Sequence, residues 1–442
     1  MKLKNRLFIF TILYLCIVIF NADAQQLTLK ESIESGLRNS KELIISKSRI
    51  ISSEEKIREF GSQMLPQLKL SASYTRLSDI PPFQITVPIS PNPIKISDPV
   101  LNSTQIKISL QQPLFTGLRL SSLKNSAEFN YQSSTFEHDA NVNEYAYRIQ
   151  EAFWNFYNAQ KVVDLVNEQL RSLNNSVNDT KNFLENGLVS LNDLLKLEVQ
   201  QSNTELKLLE VKNLLSIARM NFNRLIGLPL KNETGIKADD LYEGLTTYNE
   251  EEIFSEAKLN RNELKALEKK ILASDEQITS SNSAWFPSVY LFGDFYYANP
   301  NQRIFPQKNQ FDDSWDVGLA LNWDLFDWGL TSSKSIQAEQ LKIQAETSYS
   351  QLNEAVEIEV YQAYLNYLKS YDKINVSEKA EDQAKENYRI TKEKYGVQLA
   401  TSSELIDANV YLLQAQTNQI NARVEFKLAK AKLEKAIGRK IY

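Results

Sequence analysis

Sulfur and imidazole are almost missing from this 442-residue chain, which has one cysteine, one histidine and three methionines. The cysteine, Cys16, lies within the apolar run 7–20, behind Lys2, Lys4 and Arg6 and ahead of Ala22-Asp23-Ala24. That order of charged, apolar and small residues reads as a secretory signal peptide, too short in its apolar part for a committed membrane helix, with cleavage expected after Ala24. A lipid anchor on Cys16 is the alternative; against it, Leu15 is not small and the apolar run continues past the cysteine. The cleaved chain has no thiol chemistry, no disulfide and no cysteine metal ligand. His138 sits in a polar helical stretch and is expected at the surface, so a catalytic triad or a zinc site would have to be built from unusual parts. The chain is therefore expected to be no enzyme and to carry no metal and no cofactor.

A basic surplus is missing too. Fifty Lys and Arg stand against 55 Asp and Glu for a formal charge of -5, and losing Lys2, Lys4, Arg6 and Asp23 with the leader takes it to -7. No basic patch is concentrated enough for nucleic acid to be a partner. No later apolar run reaches membrane-helix length, so any entry into a membrane has to be made by strands.

What the chain does contain is one unit written twice. Shifted by 211 residues, Leu114 to Gly227 falls without a gap onto Leu325 to Gly438, with Ala152-Phe153-Trp154-Asn155-Phe156 meeting Ala363-Tyr364-Leu365-Asn366-Tyr367. Upstream the shift is 221, taking Asn39, Glu42 and Leu43 onto Asn260, Glu263 and Leu264, and Leu65-Pro66 onto Phe286-Pro287. The ten residues lost in between, with both flanks in register, belong to a loop. Two copies at so long a period mean one pseudo-symmetric body with the organisation 1–24 leader, 25–230 first repeat, 231–248 polar connector and 249–442 second repeat.

Each copy follows one plan. An amphipathic helical pattern spans 28–64 and stops at Pro66. Leu68, Leu70, Ala72 and Tyr74 then alternate with Lys69, Ser71, Ser73 and Thr75, and Ile106, Ile108 and Leu110 alternate with Gln105, Lys107, Ser109 and Gln111; the period of two marks strands with one apolar and one polar face. Between them, Pro81, Pro82, Pro88, Pro91, Pro93 and Pro99 make 79–103 a long exposed loop. From Gly117 to Pro229 there is no proline. The helix formers through Asn186 predict a helix of about seventy residues, on the order of 100 Å long. Gly187-Leu188-Val189-Ser190 supplies the turn, with Ser190 and Asp193 placed to cap a return helix running to Ile226.

The second copy repeats helix, two strands, a long helix over 331–395 and a return helix from Ser403. Its strand hairpin is aromatic, with Trp285, Trp315, Trp323 and Trp328 flanking it as rings do at the rims of membrane barrels. In its return helix Ala408, Ala415, Ala422, Ala429 and Ala436 recur every seven residues, a coiled-coil seam that lets helices approach closely. Leu197, Thr204, Val211, Ala218 and Leu225 hold those places in the first copy. Four strands cannot close a barrel alone and open edges do not survive in lipid, so several chains have to combine into a barrel continued by a helical tube. A periplasmic coiled-coil scaffold that never enters a membrane is the rival reading.

The Leu65-Pro66 and Phe286-Pro287 pairs, Pro113-Leu114-Phe115-Thr116-Gly117, Asp324-Leu325-Phe326-Asp327-Trp328-Gly329 and the two helix-tip turns together resemble the TolC-like outer membrane efflux protein family over the whole cleaved chain. The resemblance implies a mainly α fold with a small β part: a homotrimer whose twelve-stranded barrel sits in outer membrane lipid, continued by an α-helical periplasmic tunnel. It also implies docking on a periplasmic adaptor and an inner-membrane transporter. Acidic residues after the helix tips narrow the entrance in such ducts, and they carry over to Glu404 and Asp407, and to Asp193 in the first copy. Lys196 matches Asp407, and Ala400 holds the place of the family's constraining arginine. Capping their helices is the alternative role of Asp193 and Glu404. Adaptor contact falls to Gly187, Leu188, Val189 and Ser190 and to Leu399, Ala400 and Thr401. The second turn departs from the pattern, with Gln398 in place of the glycine and Gly396 two residues earlier.

Overall fold

The structure is a computed structural model that describes residues 26–89, 92–238 and 244–442. The expected leader, 1–24, lies outside the described residues, as do 239–243 of the connector. The elements in order are β1 (Gln26–Leu27), α1 (Leu29–Asn39), α2 (Lys41–Gln63), β2 (Gln67–Arg76), β3 (Phe83–Ile85), β4 (Ile94–Ser97), β5 (Asn102–Phe115), α3 (Arg119–Glu185), α4 (Leu191–Ile226), β6 (Gly235–Ile236), α5 (Glu250–Asn260), α6 (Asn262–Asn282), β7 (Ser288–Asn299), β8 (Asp312–Asn322), α7 (Leu330–Gly396) and α8 (Ser402–Ala436). The expected long helices are α3 and α7, each of 67 residues. Two compact units divide the chain. One holds 137–264 and 351–442 with the described residues before 48; the other holds 48–136 and 265–350.

The first unit is helical. Its core gathers Ile149, Phe153 and Phe156 of α3, Phe222 and Ile226 of α4, Ile33 of α1 and Val424 of α8. The Phe222 ring lies 6.0 Å from Phe153 and 5.6 Å from Phe156, edge-on to the first and tilted to the second. In the second copy Tyr367, the counterpart of Phe156, stacks on Phe426 at 5.3 Å. The predicted seam is buried at Ala408, Ala415, Ala422 and Ala436 and at Leu197, Thr204, Val211 and Leu225. Ala218 and Ala429, matching positions of the two copies, are half-buried. The alanines of the second copy let backbones approach without leaving voids, and larger residues fill most of the same places in the first.

The helical stretch expected over 28–64 is two helices. Ser40 takes an extended backbone between them, and Arg261, its counterpart under the 221 shift, does the same between α5 and α6. Neither is glycine or proline, so the sequence carries no breaker at either place. Ser40 Oγ caps α2 locally by accepting from the Leu43 amide at 3.2 Å, and the rest of the reason is tertiary. Ser35 Oγ and Asn39 Nδ2 both donate to the Ile226 carbonyl at 3.2 Å, and Arg261 Nη1 donates to the Ala436 carbonyl at 3.1 Å. Each break brings side-chain donors to the end of a return helix, where carbonyls have no intrahelical partner. His138, expected at the surface, is half-buried and its Nδ1 hydrogen-bonds Ser46 Oγ at 2.7 Å.

The second unit carries the strands. β2, β5, β7 and β8 form one antiparallel sheet in that order, with β2 and β8 at its edges. The pairing puts Leu68 beside Leu110, Leu70 beside Ile108, Ile108 beside Phe295, and Phe295 beside Trp315. One face is thus apolar across all four strands, and exposed: Leu68 is 72% accessible, Trp315 70% and Leu319 67%. The opposite face carries Lys107, Asp294 and Asp316, with Lys107 Nζ 2.9 Å from Asp294 Oδ2. β5 runs on to Phe115, past the predicted end, and its register shifts between Pro113 and Phe115, where a proline is tolerated. The expected loop at 79–103 contains the short hairpin β3–β4, whose strands fall between the prolines. On the helices of this unit, Ser126 and Ser133 donate from α3 to the carbonyls of Ala273 and Ala266 on α6 at 3.0 and 2.9 Å.

Phe153→Ala empties the centre of the helical core, where Phe153 is fully buried. A loss of about 3–5 kcal/mol is expected, seen as a lower denaturant midpoint by circular dichroism in detergent.

Candidate functional site

The two helix tips are built alike. At the first, the Leu188 N–H donates to the Phe183 carbonyl and the Gly187 N–H to the Leu184 carbonyl, each at 2.9 Å. At the second, Leu399 N–H reaches the Lys394 carbonyl at 2.7 Å and Gln398 N–H the Tyr395 carbonyl at 3.0 Å. Both are Schellman closures, which need a left-handed residue just past the helix. Gly187 takes φ 69° and Gln398 φ 64°. Glycine adopts this conformation freely and glutamine does not. The substitution noted at Gln398 therefore leaves the turn geometry intact and strains it locally.

Beyond each turn the return helix starts with a capping box. Ser190 Oγ accepts from Asp193 N at 3.3 Å, and Asp193 Oδ2 accepts from the Ser190 amide and hydroxyl at 3.2 and 2.6 Å. Thr401 and Glu404 repeat the pattern: Glu404 Oε2 accepts from the Thr401 amide at 2.7 Å and hydroxyl at 3.0 Å. A carboxylate at N3 satisfies an orphan donor and meets the positive end of the helix dipole. Asp193 and Glu404 thus fill the capping role weighed from sequence, and the same bonds hold them charged. The Thr401 amide, then its hydroxyl and the Lys394 charge, draw Glu404 below its ordinary pKa of 4.5. The Ser190 hydroxyl, then that of Ser402, draw Asp193 below 3.8.

Asp193 also ties the tips to each other. Its Oδ1 accepts from the buried Ser402 hydroxyl at 2.7 Å, and Lys196 Nζ donates to Ser403 Oγ at 3.2 Å. Behind them Leu173, Val177, Leu194, Leu197, Tyr395 and Leu405 pack into one cluster. The Tyr395 hydroxyl is 2.6 Å from Thr180 Oγ1, and the Tyr388 hydroxyl is 2.6 Å from Ser172 Oγ. Tyr388, Tyr395 and Ser402 were not singled out from sequence; hydroxyl residues along the packed helices were the available signal. Asp407 differs from the other two carboxylates. It is exposed, one turn past Glu404, and makes no hydrogen bond or ion pair among the described residues. Leu188 and Leu399 are also exposed at the turns, at 51% and 77%.

A sheet with one exposed apolar face running strand to strand, in a chain otherwise made of long paired helices, has the pattern of a protein that enters a membrane by its strands. The family model described as "Outer membrane efflux protein" matches residues 33–228 and 253–439, and the chain belongs to that family. It is 23% identical over 415 residues to outer membrane protein TolC of Vibrio cholerae, covering 93% of this chain and 90% of that one. Among solved structures, the outer membrane protein VceC of Vibrio cholerae matches with a TM-score of 0.76 at 19% identity, covering 94% of this chain and 97% of VceC. The CmeC outer membrane channel of Campylobacter jejuni matches with a TM-score of 0.79 at 15% identity, covering 93% and 85%. The protein is an outer membrane efflux channel with a helical periplasmic tunnel, from a family of channels and not of enzymes.

Two outcomes follow for the tips. Gln398→Gly relieves a left-handed glutamine, and slower amide exchange over 388–406 is expected, corresponding to roughly 0.5–1 kcal/mol of local stability. The caps have the sign of depressed carboxyls: their contribution is complete above the ordinary pKa and is lost as pH falls through the lowered folded value. Exchange protection at both tips, corrected for intrinsic rate, should hold from neutral pH down to 4.5 and fail only below it; failure above that value would contradict the capping geometry.

Proposed function

We propose that the chain works as a homotrimer, the passive exit duct of a tripartite export system. Its four strands join those of two further copies to close a twelve-stranded barrel in outer membrane lipid. One observation carries the reading: the sheet has an apolar exposed face and two open edges, β2 and β8. Edge N–H and C=O groups in hydrocarbon cost several kcal/mol each unless paired, and a cyclic arrangement of copies pairs them all. On the return helix α4, Leu195, Val199, Leu206, Leu209, Leu214 and Ile217 are also exposed, an apolar stripe suited to a neighbouring helix pair.

In this assembly 1–24 is the export leader, and 25–230 and 249–442 are the two repeats on either side of the connector 231–248. The loops after β2 and β7 face outward. The tips, Gly187 to Ser190 and Leu399 to Thr401, meet a periplasmic adaptor, and an inner-membrane transporter supplies the energy. The duct itself catalyses nothing. Around the axis, Asp193, Glu404 and Asp407 form the acidic entrance. Asp407 contributes the freest charge, because Glu404 and Asp193 are engaged in their caps, and Lys196, its match in the first copy, offsets part of the field.

Purified protein in a planar bilayer is expected to give a small, cation-preferring conductance. Asp407→Asn combined with Glu404→Gln keeps the shapes and removes the charge. The cation preference should drop roughly fivefold, the factor for about 1 kcal/mol of charge interaction in water. An unchanged preference removes the acidic entrance from the reading; a protein that stays soluble without detergent and never inserts removes the duct.

A further inference from the structure

The polar face of the sheet carries an ordered charge circuit that the efflux reading does not use. At its centre is the Tyr296 ring, with Lys107 Nζ 5.1 Å and the Arg303 guanidinium 4.9 Å from its centroid. Each cation has its own carboxylate: Lys107 pairs with Asp294, and Arg303 with Asp316. Tyr296 Oη closes the ring by donating to Asp294 Oδ2 at 3.3 Å. Lys107, Asp294, Tyr296 and Asp316 belong to β5, β7 and β8 and point away from the apolar face, since their neighbours Ile108, Phe295, Tyr297 and Trp315 line it.

Arg303 does not belong to a strand. It lies in the segment 300–311 that joins β7 to β8, and that segment is fastened onto the polar face at more than one point. Asn301 is buried, and its Nδ2 donates to Ser314 Oγ at 3.1 Å and to the Asp312 carbonyl at 3.2 Å. Its Oδ1 accepts from the Arg303 amide at 3.0 Å, which sets the direction of the arginine, and Arg303 Nη1 donates to the Trp315 carbonyl at 3.1 Å. Further along, the Phe305 ring meets Phe83 of β3 edge-on at 5.7 Å. A connection built only to turn between two strands needs none of these anchors, and a guanidinium held by a carboxylate, a carbonyl and a ring face is fixed in direction.

We propose that Arg303 latches the segment 300–311 across the inner wall of the strand sheet and thereby sets the width of the pore at its outer end. The inference rests on the proposed barrel, in which the polar face is the lumen. Three copies of the latch then stand around the axis, one from each chain. What leaves by this duct has to pass a rim of paired charges and tyrosine rings. Such a rim suits polar and cationic-aromatic solutes better than bulky apolar ones.

Accessibility from outside tests the latch without depending on the acidic entrance. Gln111 lies on the polar face beside Gln67 and Phe292, past the level of Asp294 on the helix side, and is exposed. In a Cys16→Ala background, Gln111→Cys gives one reactive thiol, and a membrane-impermeant maleimide is added to whole cells. Arg303→Met and Asp316→Asn should each speed labelling by up to about fivefold, the factor for losing an ion pair whose arginine is half exposed. The exchange Arg303→Asp with Asp316→Arg should return it to the slow rate. Equal rates in all four proteins overturn the latch, and so does a charge exchange that labels as fast as the single variants. Bilayer conductance of the same purified proteins separates the two levels: conducting pores with unaltered labelling remove only the latch, while protein that never conducts removes the barrel on which it stands.

Discussion

A strand at the edge of a sheet can lie in water or against another strand, but not in hydrocarbon with its amides bare. That constraint organises the rest of this molecule. The apolar face shared by β2, β5, β7 and β8 suits a membrane, and two edges are left over. Everything else is compatible with a cyclic neighbour on each side: apolar stripes left on α4, small residues in the seams, and polar residues on the face opposite the membrane. A chain that buried its own edges would have needed a different sheet.

Duplication is the second organising fact, and its traces are physical as well as textual. Three of the four long-helix ends close on glycine, at Gly187, Gly227 and Gly438, all left-handed. The breaks at Ser40 and Arg261 occur at matching positions and both serve a return-helix terminus, one through neighbouring Ser35 and Asn39 and the other through the arginine itself. Copies that have diverged this far in residue type still meet the same backbone requirement. The requirement, a carbonyl left without a partner at a helix end, is what has been kept.

Much of the fold could be read from periodicity, because its elements are long and repeat a local rule many times. The heptad alanines of α8 and the alternation Leu68-Leu70-Ala72-Tyr74 are of this kind. What escaped was set by contacts distant in sequence. No glycine or proline announces the helix break at Ser40 or Arg261, and only the Ser40 hydroxyl, which accepts from the Leu43 amide, is a local cap. The hairpin β3–β4 hides among prolines that suggest only a loop. At the tips, the capping residues Ser190 and Asp193 were legible, because a capping box is local. The bond from Asp193 to Ser402 was not, since it joins residues 209 apart. Arg303 gave no signal at all: an arginine in a polar loop is ordinary until the loop is seen to fold onto the sheet.

The glutamine at position 398 carries one more consequence. If the proposed trimer were assembled instead from six identical single-copy subunits, every helix turn at its mouth would have to be the same. Fusing two copies into one polypeptide halves that symmetry. Glycine can stay at one turn while glutamine accumulates at the other, and a docking protein would face two alternating kinds of landing point. The strain tolerated at Gln398 is thus a freedom that only a fused pair of repeats possesses: one half of the rim can be altered while the other is left unchanged.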